Sequence, residues 1–139
     1  MKLVTFVAVE SASAIPLPGV VAESAELSHE RAPILDLLTG FRMLEAEAGR
    51  PNHLSAVIAR YGGDMIALIE RQEVALPAIR QLLERYARGT LLSGAGKDDT
   101  LLYPRDEVRL LAPIPRPLSM RDAYAFRQHV EAARRNRGL

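Results

Sequence analysis

Lys2-Leu3-Val4-Thr5-Phe6-Val7-Ala8-Val9 opens the chain with four β-branched residues around one aromatic ring, a composition that favours an extended strand. The run is too short to cross a membrane, is interrupted by Thr5 and meets Glu10 at its end. It is also weak as the apolar centre of a signal peptide, although Ser11-Ala12-Ser13-Ala14 has the small residues of a cleavage site. A domain that begins on a strand is therefore expected, with Pro16, Pro18 and Gly19 ending regular structure there.

Outward from this strand the apolar period changes. Ser24 to Arg31 is polar, and after Pro33 the group Ile34, Leu35, Leu37 and Leu38 fits either a short strand or the first turn of a helix running to Ala48. Asn52 is a suitable N-cap for a helix carrying Leu54, Val57 and Ile58, which Tyr61-Gly62-Gly63 terminates. Asp64 caps a second with Met65, Ile66, Leu68 and Ile69. Pro77 sits at the expected start of a third, Ala78 to Arg88, with Ile79, Leu82, Leu83 and Tyr86 at helical spacing and Gly89 as its stop. Ser93 to Thr100 reads as a polar loop. Glu107 to Ala112 alternates like a strand and is closed by Pro113, Pro115 and Pro117; a last helix is expected from Ser119. The class that follows is α+β, with a few short strands and three or four helices and no internal repeat.

Composition bounds the function. At 139 residues, 48% hydrophobic and 25% charged, the chain can bury its own core without a staple. Eighteen basic side chains against seventeen acidic ones give no reason to expect nucleic acid or a membrane surface as a partner. The absence of cysteine excludes disulfides, thiolate metal sites and a cysteine nucleophile, and fits a cytoplasmic location.

Most chemical motifs fail on spacing. Gly94-Ala95-Gly96-Lys97 is not a phosphate loop: Leu91 stands where the first glycine belongs and Asp98 where Ser or Thr belongs. His29 and His53 have no second histidine at ligand spacing and read as solvated side chains. Glu45 and Glu47 are two apart, which on a helix turns them in different directions, so they read as a polar face. Arg134, Arg135 and Arg137 complement the negative end of a last helical turn, with no aromatic residues interleaved for base stacking.

The last helix differs. Ser119-Met120-Arg121-Asp122 fits a capping box with Ser119 as N-cap and the acid at the third helical position. His129 follows seven residues later, which on one continuous helix is two turns, about 10 Å, along nearly the same side. The two groups could flank one pocket with the Tyr124 hydroxyl between them, a carboxylate holding a cation and an imidazole managing a proton. The bland reading of the same residues is a helix cap and an ordinary side chain.

Val108-Arg109-Leu110-Leu111-Ala112-Pro113-Ile114-Pro115-Arg116-Pro117, followed by Ser119-Met120-Arg121-Asp122-Ala123-Tyr124-Ala125-Phe126-Arg127-Gln128-His129, resembles the junction between the N-terminal and catalytic domains of the fumarylacetoacetate hydrolase family. The opening Met1-Lys2-Leu3-Val4-Thr5-Phe6 looks like the start of bacterial members. The resemblance implies that Asp122 helps bind a divalent cation (Mg, Mn or Ca), that Tyr124 meets substrate, and that His129 is the general base in hydrolysis of a carbon–carbon bond in a 2,4-dioxo, acylpyruvate-like acid. The family also contains decarboxylases, isomerases and hydratases. Its remaining metal carboxylates, a Glu-x-Glu pair and a later Asp, lie well after the histidine, and Glu45 and Glu47 precede the motif and cannot replace them by register. The expectation is therefore an N-terminal α+β domain over 1–117 and, over 118–139, the first helix of a catalytic domain whose β-rich remainder lies in a missing segment or second chain. Alone, this polypeptide is expected to be inactive and to bind no cation usefully. It is also expected to self-associate through apolar Met120, Tyr124, Phe126 and Val130. The rival expectation is a non-catalytic interaction domain.

Overall fold

A computed structural model describes residues 1–9, 15–23, 31–49, 54–60, 65–91, 100–120 and 126–138. The expected opening strand is β1, Leu3–Ala8. The chain then returns as β2, Leu17–Val21, where the prolines and glycine had pointed to a break. The register explains this. Thr5 lies opposite Pro18, and the Val21 amide donates to the Lys2 carbonyl at 3.0 Å, so alternation turns the Pro18 nitrogen away from β1 towards β3. There β3, Ile34–Asp36, has already ended opposite Gly19. The missing donor thus falls where no partner strand runs. Gly19 is required for space: a Cβ there would lie 2.6 Å from Ile34 Cγ2 and 2.9 Å from Phe6 Cε1.

The ambiguity after Pro33 resolves into both readings in succession. Ile34–Asp36 is a strand, and Leu37–Ala48 is helix α1. Asp36 is the joint: its carboxylate accepts from the Leu38 amide at 2.9 Å and from the Thr39 hydroxyl at 2.7 Å, an N-cap. Gly49 closes α1 at φ 59°. Helices α2 (Leu54–Arg60), α3 (Met65–Glu70) and α4 (Gln72–Ala87) follow. The caps assigned to Asn52 and Asp64, the Tyr61-Gly62-Gly63 stop and the loop before Thr100 lie outside the described residues.

Pro77 does not start α4; it lies inside it. The proline removes only the amide that would bond to the Glu73 carbonyl, near the helix start. Buried Ala75, Ile79 and Leu82 form one apolar face running past it, which holds the helix together. Gly89, at φ 68°, ends this helix region as expected.

Two short strands complete the sheet, β4 (Leu102–Tyr103) and β5 (Val108–Leu110), linked by Pro104 and a 3-10 turn at Arg105–Glu107. Every pairing is antiparallel, and the order is β4-β3-β2-β1-β5. The two edge strands are therefore the two joined by the shortest link. Four inter-strand spacings of about 4.8 Å would separate flat edges by about 19 Å, too far for a link that contains a tightly wound 3-10 turn. The sheet must curl. Its concave side holds Phe6, Val21, Ile34 and Val108; its convex side, with Val20 and Leu35, joins the helix core of Phe41, Ile58, Leu68 and Leu82. The protein is a small α+β domain with a five-stranded curled antiparallel sheet and five α-helices among the described residues.

Candidate functional site

Towards the C-terminus the Pro113 carbonyl accepts from the buried Thr5 hydroxyl at 2.7 Å, and Ile114 packs on the main core. Beyond Ile114 no described residue is buried. Leu118 and Met120 are 88% and 87% exposed, and Ser119 is not helical.

Helix α5 spans Arg127–Asn136, so the expected start at Ser119 is corrected. Its N-cap position is Phe126, extended at φ −113° and ψ 134°, with no side-chain cap. Asp122 and Tyr124 lie outside the described residues. The two-turn spacing drawn from Asp122 to His129 required one unbroken helix, and the extended backbone at Phe126 interrupts it. His129 occupies the first turn of α5. It is exposed, its ring meets Phe126 edge-on at 5.6 Å between centroids, and its amide donates to the Phe126 carbonyl at 3.0 Å. An exposed Arg127–Glu131 pair at 2.7 Å lies one helical turn apart. Leu118 to Met120 expected cap and apolar positions are thus open to solvent, as is Phe126 at 64% exposure.

Among the described residues no group of three or more His, Cys, Asp or Glu is placed to hold a metal ion. A hard divalent cation needs several oxygen donors, and the described residues do not assemble that set beside His129.

A cleft of about 570 Å³ lies elsewhere, between α1, α2 and α4. Phe41, Leu44, Leu54, Val74 and Pro77 contribute its apolar lining, and Glu45, Glu47, Glu73 and Arg85 its charges. The two α1 glutamates do point to different partners, as their spacing requires. Glu45 accepts from the Ser55 amide at 3.0 Å and hydroxyl at 2.5 Å, capping α2 from another helix; Glu47 accepts from Arg85 on α4 at 2.6 Å. They are more than a solvated polar face, because they tie three helices together. Sequence spacing could not reveal this, since each partner is distant along the chain.

The Asp36 carboxyl is pushed above its ordinary value. Burial is the main cause, opposed by the bonds from Thr39 and Leu38 and by the Arg42 charge. Its position between β3 and α1, with both oxygens engaged, makes it a structural cap.

Comparison with protein-family models, with curated proteins and with solved structures finds no match for this chain. No helix among the described residues is long and apolar enough to cross a membrane.

Proposed function

We propose that residues 1–117 are the N-terminal domain of a cytoplasmic hydrolase resembling the fumarylacetoacetate hydrolase family, and that 118–139 begin its catalytic domain. The substrate class is a 2,4-dioxo, acylpyruvate-like acid. The observation that carries this reading is the division of the chain at Ile114: the acid, tyrosine and histidine of the family-like motif all follow it, and no described residue there is buried. A site built on such a segment needs other protein to cover it and to supply oxygen donors.

The proposed work of this chain's own residues is limited. His129, exposed at the start of α5, takes a proton from water as the water oxygen bonds to the substrate carbonyl carbon. The adjacent carbon–carbon bond then breaks; its electron pair leaves as an enolate, which takes up a proton to give the second product. Tyr124 orients the dicarbonyl, and Asp122 would contribute one oxygen to a cation site (Mg, Mn or Ca). The described residues do not complete that site, so no step is assigned to the cation.

The test begins with the reading frame after residue 139, where a Glu-x-Glu pair and a later Asp are expected. Protein carrying them should hydrolyse an acylpyruvate with magnesium, and the 139-residue chain alone should not. In the longer protein, His129→Ala should abolish turnover while calorimetric magnesium binding persists, and Asp122→Ala should weaken that binding. Unchanged turnover in His129→Ala, or turnover by the short chain, overturns the proposal. The competing reading, a non-catalytic interaction domain, draws on His129 being an exposed side chain whose ring contact among the described residues is to its neighbour Phe126; it predicts no effect of either substitution on any turnover.

A further inference from the structure

Two elements of this chain are complementary in polarity and charge. The cleft between α1 and α4 has an apolar floor, Phe41, Leu44, Val74 and Pro77, with three carboxylates and one guanidinium around it, Glu45, Glu47 and Glu73 against Arg85. Helix α5 buries none of its residues. Phe126, Val130 and Ala133, spaced by four and three, form an apolar stripe along it. Between Arg127 and Arg137 the segment holds four arginines against the single Glu131. Among the described residues Arg134, Arg135 and Arg137 form no ion pair.

We infer that α5 of one copy docks in the α1–α4 cleft of a second copy, its apolar stripe on the cleft floor and its C-terminal arginines beside the glutamates. A groove between two helices is the ordinary seat for a third amphipathic helix. The sign of charge on each element selects this pairing over α5 against α5 or cleft against cleft, because each of those brings like charges together. A second copy is the occupant because α5 buries none of its residues against its own chain and follows a segment in which Pro113, Pro115 and Pro117 restrict the backbone. The exchange is reciprocal, so one dimer contains two such contacts around a two-fold axis. The inference depends on Val130, Arg134 and Arg135, whereas the hydrolase proposal depends on His129, so either can fail alone.

The test is sedimentation velocity on the 139-residue chain across a concentration series, at low and high salt. A concentration-dependent dimer, weakened by salt, is expected. Glu73→Arg and the double variant Arg134→Glu/Arg135→Glu should each raise the dimer dissociation constant about tenfold or more, given modest energies for each exposed pair. Placing all three changes in one chain should restore the dimer. Val74→Lys should also weaken it; because Val74 is 48% exposed, circular dichroism should show an intact fold. A chain that stays monomeric at every concentration, or a dimer indifferent to these changes, overturns the inference. So does failure of the triple variant to recover, or a monomer whose cleft amides shift in NMR spectra when its own α5 arginines are reversed.

Discussion

The rings of Phe6 on β1 and Tyr103 on β4 lie 5.2 Å apart between centroids, although β2 and β3 separate their strands in the sheet order. Only a curled sheet allows this contact. Gly19 is what the curl leaves room for, since its position between Phe6 and Ile34 has no space for a methyl group.

Gly19→Ala should therefore destabilise the fold by about 1–3 kcal/mol, the usual cost of forcing extra volume into a packed core. Gly40→Ala is the control. Its Cβ would lie 2.6 Å from Leu82 Cδ1, but that methyl is the far end of a flexible side chain, and alanine gains about 1 kcal/mol of helix propensity. Chemical denaturation should rank Gly19→Ala as clearly the more damaging.

Asp36 should make stability depend on pH in the direction opposite to that of a salt-bridged carboxylate. Its folded pKa is raised above the ordinary 3.8, chiefly by burial. Between the unfolded and folded values the native state binds more protons, so this group's contribution falls as pH rises through that window and is most favourable below it. Asp36→Asn keeps an oxygen for the Leu38 amide and should flatten this component of the pH profile. Asp36→Ala removes the cap and should cost about 1–2 kcal/mol near neutral pH. A pH series of urea midpoints for the three proteins checks both signs.

Glu45 and Ser55 should behave as a coupled pair. Glu45→Ala and Ser55→Ala each remove part of the cap on α2 and should each cost about 1–2 kcal/mol. The double variant should cost less than their sum, because the amide and hydroxyl bonds share one carboxylate. Additive losses in a denaturation cycle would show that the two residues act independently.

A chain ending at Arg116 should unfold at nearly the same temperature as residues 1–139. It keeps the Thr5–Pro113 hydrogen bond and the packing of Ile114, and it loses no described residue that is buried. Calorimetry checks this at low protein concentration, where self-association adds little. A large fall in melting temperature would mean that the terminal segment stabilises the domain.

Much of the fold was legible because it rests on local chemistry. Leu3–Ala8, Met65–Glu70 and the glycine stop at Gly89 follow from residues within a few positions of one another. β2 was not legible: Pro18 and Gly19 look like breakers until it is known that β3 ends opposite Gly19 and that Phe6 and Ile34 crowd it. The helical start at Ser119 was a plausible local pattern, but Phe126 is extended and α5 begins at Arg127. Of the candidate site, only His129 falls among the described residues.

By itself the amino-acid order determined the class of element in most segments and the absence of any thiol chemistry. Those properties depend on residue type and short-range spacing. Tertiary structure alone decided that the sheet curls, that Glu45 and Glu47 bind α2 and α4, and that the described residues beyond Ile114 lie outside the core. The reason is physical: whether a proline, a carboxylate or an apolar face is tolerated depends on what lies across from it, and in this fold the opposing group is ten or more residues away along the chain.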